Sequence, residues 1–153
     1  MRSILNDADT KTVANALQGV LVTLIDLSLV GKQAHWMLRG PEFKGIHEHL
    51  DLIIDAARLH SDAVAERMVT IGAPADGRAA AVAADSAIAE YPAGFITTAQ
   101  TVSLVSDALH TTIAGLRKGI AAVEKPDPVS QDLLIGIAAE LEKHLWLLQS
   151  RES

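Results

Sequence analysis

Between residues 47 and 66 the chain carries two pairs of side chains able to bind a metal: His47 with Asp51, and Asp62 with Glu66. Each pair is spaced i, i+4, so on a helix its two members lie side by side on one face. At about 100° per residue from His47, Asp51 falls near 40°, Asp62 near 60° and Glu66 near 100°. All four occupy one narrow arc. The apolar stripe of the same segment centres near about 280°, so the arc flanks the core rather than facing its middle.

Distance then decides how such a site could close. Asp51 and Asp62 are 11 residues apart, roughly 16 Å along a straight helix, whereas a bond from nitrogen or carboxylate oxygen to a metal is only about 2 Å. One helix cannot bring both pairs to one ion. Two copies crossing antiparallel about a two-fold axis near residues 56–57 can, each His47/Asp51 pair meeting the other chain's Asp62/Glu66 pair. Such a contact makes two identical sites. His35, near the end of the preceding helix, is the natural fifth ligand if that end lies beside His47. Two imidazoles and three carboxylates form a mixed N/O set suited to iron, and one that zinc, manganese or cobalt could also occupy.

A blander account exists for each residue. Asp62 could pair with Arg58 one turn earlier, and a lone helical histidine is more often a surface or packed residue. It leaves Asp51 and Asp55 unexplained, like charges at i, i+4 that cost stability unless something positive sits nearby. The single-chain di-iron bundle needs Glu-x-x-His on two helices, and no Glu is followed by His three places on. An intrachain site of that kind is not expected.

The elements that must position these residues are four long helices, expected at about 9–38, 44–71, 98–124 and 128–150. Val13, Leu17, Val20, Leu24, Leu27, Gly31, Ala34 and Leu38 recur at four- and three-residue steps along the first, which Gly40-Pro41 stops. Ile46, Leu50, Ile53, Ala57, Val64 and Met68 mark the second, ended by Gly72 and Pro74. Thr97 or Thr98 can cap the third, with Val102, Val105, Leu109, Thr112, Leu116, Ile120 and Val123 on its inner face. Asp127 as N-cap with Pro128 at the first helical position starts the fourth, which carries Leu134, Ile137, Leu141, Leu145 and Leu148. Between the pairs, residues 72–97 are rich in Gly, Pro and Ala, with a short helix expected at 85–90. Short links make each pair antiparallel, and one long crossover is the connectivity of the ferritin-like four-helix bundle. The fold class expected is all-α, as one domain over residues 1–153.

Composition agrees. Of 153 residues, 49% are hydrophobic and only 3% aromatic, weighted towards the helix formers Leu and Ala. The absence of cysteine excludes disulfides and thiolate ligands, and no signal peptide is read at the N-terminus. No run of 18 uninterrupted apolar residues argues for a membrane span.

Lys32-Gln33-Ala34-His35-Trp36, Arg39-Gly40-Pro41, Phe43, His47, Asp51, Asp62 and Glu66-Arg67 closely resemble the signature of the Dps family, the DNA-binding proteins from starved cells. The spacing of 12, 4, 11 and 4 between the five candidate ligands is highly specific, and the likeness extends to Tyr91-Pro92 and Lys143-His144-Leu145-Trp146. Met37 stands where the family commonly has Asn. The resemblance implies a hollow dodecameric cage with ferroxidase sites between subunits, His35, His47 and Asp51 from one chain and Asp62 and Glu66 from its mate. It implies oxidation of Fe(II), preferably by hydrogen peroxide, with the ferric product stored as mineral, Asp62 and Glu66 being the firmer anchors. Trp36 would serve as electron donor or radical trap beside His35, or as a packing residue at the bundle end. Trp146 is expected to be structural. Asp127 and Asp132 match acids that in similar proteins line a three-fold pore, where repeated acids concentrate cations; alternatively they are a helix cap and a first-turn acid. Glu140 and Glu142 are weaker candidates for that path. His49, His60, His110 and His144 have no role assigned.

A second function class is a nucleoid protein that condenses DNA. DNA binders in the family carry lysine-rich tails, whereas the first and last eight residues here contain one cation each, Arg2 and Arg151. Twelve chains of net charge −6 would carry about −72, which repels phosphate. Direct DNA binding is not expected at physiological salt. A third class is a helical bundle that binds a partner and no metal; it would leave Fe(II) oxidation at its background rate. The location expected is cytoplasmic, with nucleoid association as the variant.

Overall fold

Asn6 sets the start of the first helix, its side-chain oxygen accepting from the Asp9 N–H at 2.9 Å, which satisfies a donor the helix itself cannot. In the computed structural model, which describes residues 3–151, this helix α1 covers Asp7–Met37 and leads into a two-residue strand β1, Leu38–Arg39. Gly40 follows at φ 134°, a conformation glycine tolerates, and a Cβ there would meet Thr98 Oγ1 at 3.0 Å. Helix α2 covers Phe43–Thr70, α3 Ala79–Asp85, β2 Ile96–Thr97, α4 Thr98–Val123 and α5 Pro128–Gln149. Thr97 caps α4, its hydroxyl taking the Gln100 N–H while the Gln100 side chain takes the Thr97 N–H. Asp127 caps α5, with Pro128 in the first turn.

The short crossover helix lies at Ala79–Asp85, not at 85–90. The alanine run supplies the propensity, and Val82 is its buried anchor. Ser86 ends it because its hydroxyl is drawn to Asp26 at 2.6 Å. Earlier in the crossover, both ends of the Gln18 amide bond the backbone of Asp76. Side chains of α1 thus pin the connection along its length.

Strands β1 and β2 pair in parallel, Leu38 with Ile96 and Arg39 with Thr97. The chain therefore enters α4 beside the point where it left α1, so the crossover returns the full length of α2. That is the ferritin-like arrangement of two antiparallel pairs. Helix α1 packs against α2 and α4, α4 against α5, and α2 against α5. Every stripe position named for α1 and α2 is buried, as are those of α4 and α5 except Ile120 and Leu145, which are partly covered. By length and composition α1 could cross a membrane, but its apolar face is spent on the bundle. Trp146, expected to be structural, is 63% exposed in the single chain. Arg2 lies outside the described residues, and Arg151 folds back, 3.4 Å from Glu42.

Candidate metal centre

The end of α1 and the start of α2 are fastened by their histidines. The imidazoles of His35 and His47 stack with centroids 3.6 Å apart and planes 20° from parallel. Each ring bonds the other residue's backbone: His35 Nδ1 donates to the His47 carbonyl and His47 Nδ1 to the His35 carbonyl, both at 2.9 Å. A carbonyl can only accept, so both Nδ1 atoms carry protons, and in the neutral rings the lone pairs sit on Nε2. That is how a histidine is held for metal binding, with the second nitrogen fixing tautomer and orientation. Phe43 stacks on His47 as well, centroids 5.0 Å apart.

Asp51 joins this group, its Oδ1 3.4 Å from His35 Nδ1. One side chain here had no role in the sequence reading: Lys32, whose ammonium is 2.7 Å from Asp51 Oδ1. This cation relieves the repulsion between Asp51 and Asp55, and its hydrogen bond holds the Asp51 carboxyl below the usual carboxylate range. The one clue in the sequence is that Lys32 precedes His35 by three residues and so shares its helix face.

Asp62 and Glu66 stand apart from these three. Both are exposed, and neither carboxylate has an ion pair or hydrogen bond among the described residues; Arg58 does not reach Asp62. Leu52 and Leu59, 59% and 67% exposed, flank the middle of α2 between the two halves. As they stand, no three His, Asp or Glu side chains among the described residues of this one chain are grouped to hold a metal.

The remaining candidates separate clearly. Trp36 is 60% exposed and lines a cavity of about 710 Å³ with Leu29, Asp26 and Tyr91, so within the chain it is not a packing residue. Asp132 is exposed and shares a shallow depression of about 400 Å³ with Glu66 and Arg67. Asp127 is different: only 3% exposed, it accepts from Arg67 Nη2 at 2.7 Å, from the Ser130 hydroxyl and from the Val129 N–H. Burial alone would raise its carboxyl, but these bonds outweigh it and bring it below the ordinary value. Of its two expected roles the structure displays the cap.

A four-helix bundle with one long crossover defines a protein of the ferritin-like class. Residues 14–151 match the ferritin family, described as a ferritin-like domain. The chain is 36% identical over 146 residues to the DNA protection during starvation protein of Mycolicibacterium smegmatis, covering 95% of this chain and 80% of that one. Among solved structures it is similar to Mycobacterium smegmatis Dps in a tetragonal form, with a TM-score of 0.93 and 35% identity over 98% of this chain and 91% of the other. It is equally similar in shape to Dps from Microbacterium arborescens in the high iron form, TM-score 0.93 and 30% identity over 98% of each chain. The chain belongs to the Dps family of ferritin-like proteins. Membership supports a role in iron storage and protection.

Proposed function

We propose that the chain is a Dps-type ferroxidase whose di-metal sites form across a two-fold axis, His35, His47 and Asp51 of one subunit meeting Asp62 and Glu66 of its neighbour. The observation that carries this reading is the split on α2: a preformed histidine half whose Nε2 lone pairs are available, and, 11 residues on, two acids without partners. Leu52 and Leu59 are well placed to cover the axis between them, since apolar side chains left this exposed gain by meeting their own copies.

Iron is the substrate. Two ferrous ions each give one electron, and hydrogen peroxide takes both, its O–O bond breaking to leave two hydroxides. Asp62 and Glu66 hold the higher charge of the oxidised ions, while the imidazoles bind more weakly and let iron move on. As Fe(II) approaches, the Lys32 ammonium must leave Asp51. Trp36, next to His35 in the chain and open to solvent, is the side chain proposed to donate electrons or trap radicals. Asp132, beside Glu66, is the acid best placed to guide cations inward; Asp127 is left out of that path because its carboxylate is already committed. The ferric product is stored in a dodecameric cage, in the cytoplasm, which protects the cell by removing both reactants of hydroxyl-radical formation. Zinc or other divalent ions compete for the same donors. No appreciable direct DNA binding belongs to this function: net charge is −6, and Arg151 is tied to Glu42.

The test adds Fe(II) and peroxide anaerobically to metal-free protein and follows ferric absorbance, comparing wild type with Asp62→Ala/Glu66→Ala. Loss of the fast phase in the variant is expected. Equal rates would remove the site.

A further inference from the structure

Three histidines without a role in iron oxidation come together with one carboxylate where α2 packs on α5. His49 Nε2 lies 3.1 Å from His144 Nδ1, their ring centroids 5.3 Å apart. His144 Nε2 looks towards Glu140 Oε1 at 4.0 Å, and the other oxygen of Glu140 is bonded to His60 Nε2 at 2.5 Å. His60 and Glu140 come from different helices, and Glu140 and His144 are an i, i+4 pair on α5. On α2, His49 and His60 lie about 200° and 220° around from His47. This group is therefore on the opposite side of the helix from the ferroxidase arc.

We propose that His60, Glu140 and His144 form a second binding site, separate from the ferroxidase centre, for a divalent transition-metal ion. Two imidazole nitrogens and one carboxylate are a donor set that iron(II), cobalt(II) and zinc(II) accept, with positions left open for water. Donor–metal bonds of about 2 Å leave roughly 3–4 Å between neighbouring donors. The 4.0 Å gap between His144 and Glu140 is already in that range; it is too long for a hydrogen bond. Only the His60–Glu140 contact has to lengthen, and Glu140, 44% exposed, can do so by rotating without moving either helix. The three donors do not close a coordination sphere as they stand; a site here needs that rotation together with a shift of the His60 proton from Nε2, where it faces Glu140, to Nδ1.

His49 supplies the fourth part of the device. When His144 Nδ1 donates its proton to His49 Nε2, the His144 lone pair is on Nε2 and faces the carboxylate, an arrangement that favours a cation between them. Burial lowers the affinity of His144 for a proton, which keeps the ring neutral and able to ligate. His49 is then a positioning residue that sets the tautomer of a ligand.

Cobalt(II) is the probe, used on the assembled metal-free protein in a background where His47, Asp51, Asp62 and Glu66 are all replaced by alanine, so that neither half of the ferroxidase site counts. Equilibrium dialysis should find about one Co(II) per chain, with the visible absorption of a cobalt ion bound by nitrogen and oxygen. Adding Glu140→Gln, which keeps the shape of a half-exposed side chain, should weaken binding at least tenfold, and so should His144→Phe. No cobalt bound in the background variant, or uptake unchanged by Glu140→Gln, would overturn the site. Because iron oxidation is not the readout, failure here is distinct from failure of the ferroxidase assignment.

Discussion

Mixing two inactive variants should restore activity. In Asp62→Ala/Glu66→Ala every site keeps its histidine half and loses its acids; in His47→Ala/Asp51→Ala the reverse holds. Within one chain Asp51 and Asp62 are separated along α2 by 11 residues, roughly 16 Å, so neither variant can repair itself. When the two are dissociated together and reassembled, a mixed two-fold pair contains one site built from intact halves and one built from both damaged halves. Random pairing at equal amounts puts about half of all pairs in the mixed class, so about one quarter of the wild-type sites return. The initial rate of peroxide-driven Fe(II) oxidation per chain should therefore rise from background to about a quarter of wild type. Pairs purified through a different tag on each chain should reach about half. A co-assembled mixture that stays at the level of its separate parts, with mixed pairs verified by the tags, would show that the two halves do not meet across subunits.

Other perturbations test the parts of the fold that carry the site. Asp127→Ala leaves Arg67 mostly buried and unpaired and removes the cap of α5; chemical denaturation at neutral pH should report a loss of about 3–5 kcal/mol. The Asp127 carboxyl is depressed in the folded chain, so its contribution is fully present above the ordinary Asp value of about 4 and fades as pH falls through the lower folded value. The wild-type advantage over Asp127→Ala should accordingly shrink in acid denaturation series, and an advantage independent of pH would contradict the ion pair. Gly31→Ala places a Cβ 2.9 Å from Ile54 Cγ1 between α1 and α2; overpacking should cost about 1–3 kcal/mol, read as a lower denaturation midpoint. Lys32→Ala removes a partly exposed ion pair worth less than about 1 kcal/mol, so melting should hardly change. Fe(II) binding, titrated anaerobically, should tighten because the competing ammonium is gone; weaker binding would mean that Lys32 supports the site instead.

The fold was legible because helical burial is periodic. A residue facing the core repeats every three or four positions whatever its partner, and Val13, Leu17, Leu24, Leu50 and Leu116 could be placed without knowing what they touch. The short crossover helix was misplaced because two local signals competed there, and the alanine run prevailed over the segment from 85 to 90 once Ser86 found Asp26. Residues whose role depends on a distant partner were harder. Lys32 meets Asp51 only through the crossing of α1 and α2. Asp127 can be read as a cap from its place before Pro128, but not as the partner of Arg67, 60 residues earlier in the chain.

Charge compensation separates the two halves of the centre more sharply than ligand spacing alone. The chain supplies Lys32 to Asp51, Arg78 to Asp76, Arg67 to Asp127 and Arg117 to Glu142. Asp62 and Glu66, four residues apart on one face, receive no such partner, although Arg58 lies one turn before Asp62. Exposed to water, two neighbouring carboxylates repel only weakly and are tolerated. Brought against a second subunit they would not be, because removing them from water without a counter-charge costs several kcal/mol per ion. A positive charge from outside the chain would thus be needed wherever that surface became an interface, and on the proposed reading the Nε2 atoms of His35 and His47, each ring held by the other's carbonyl, would share it.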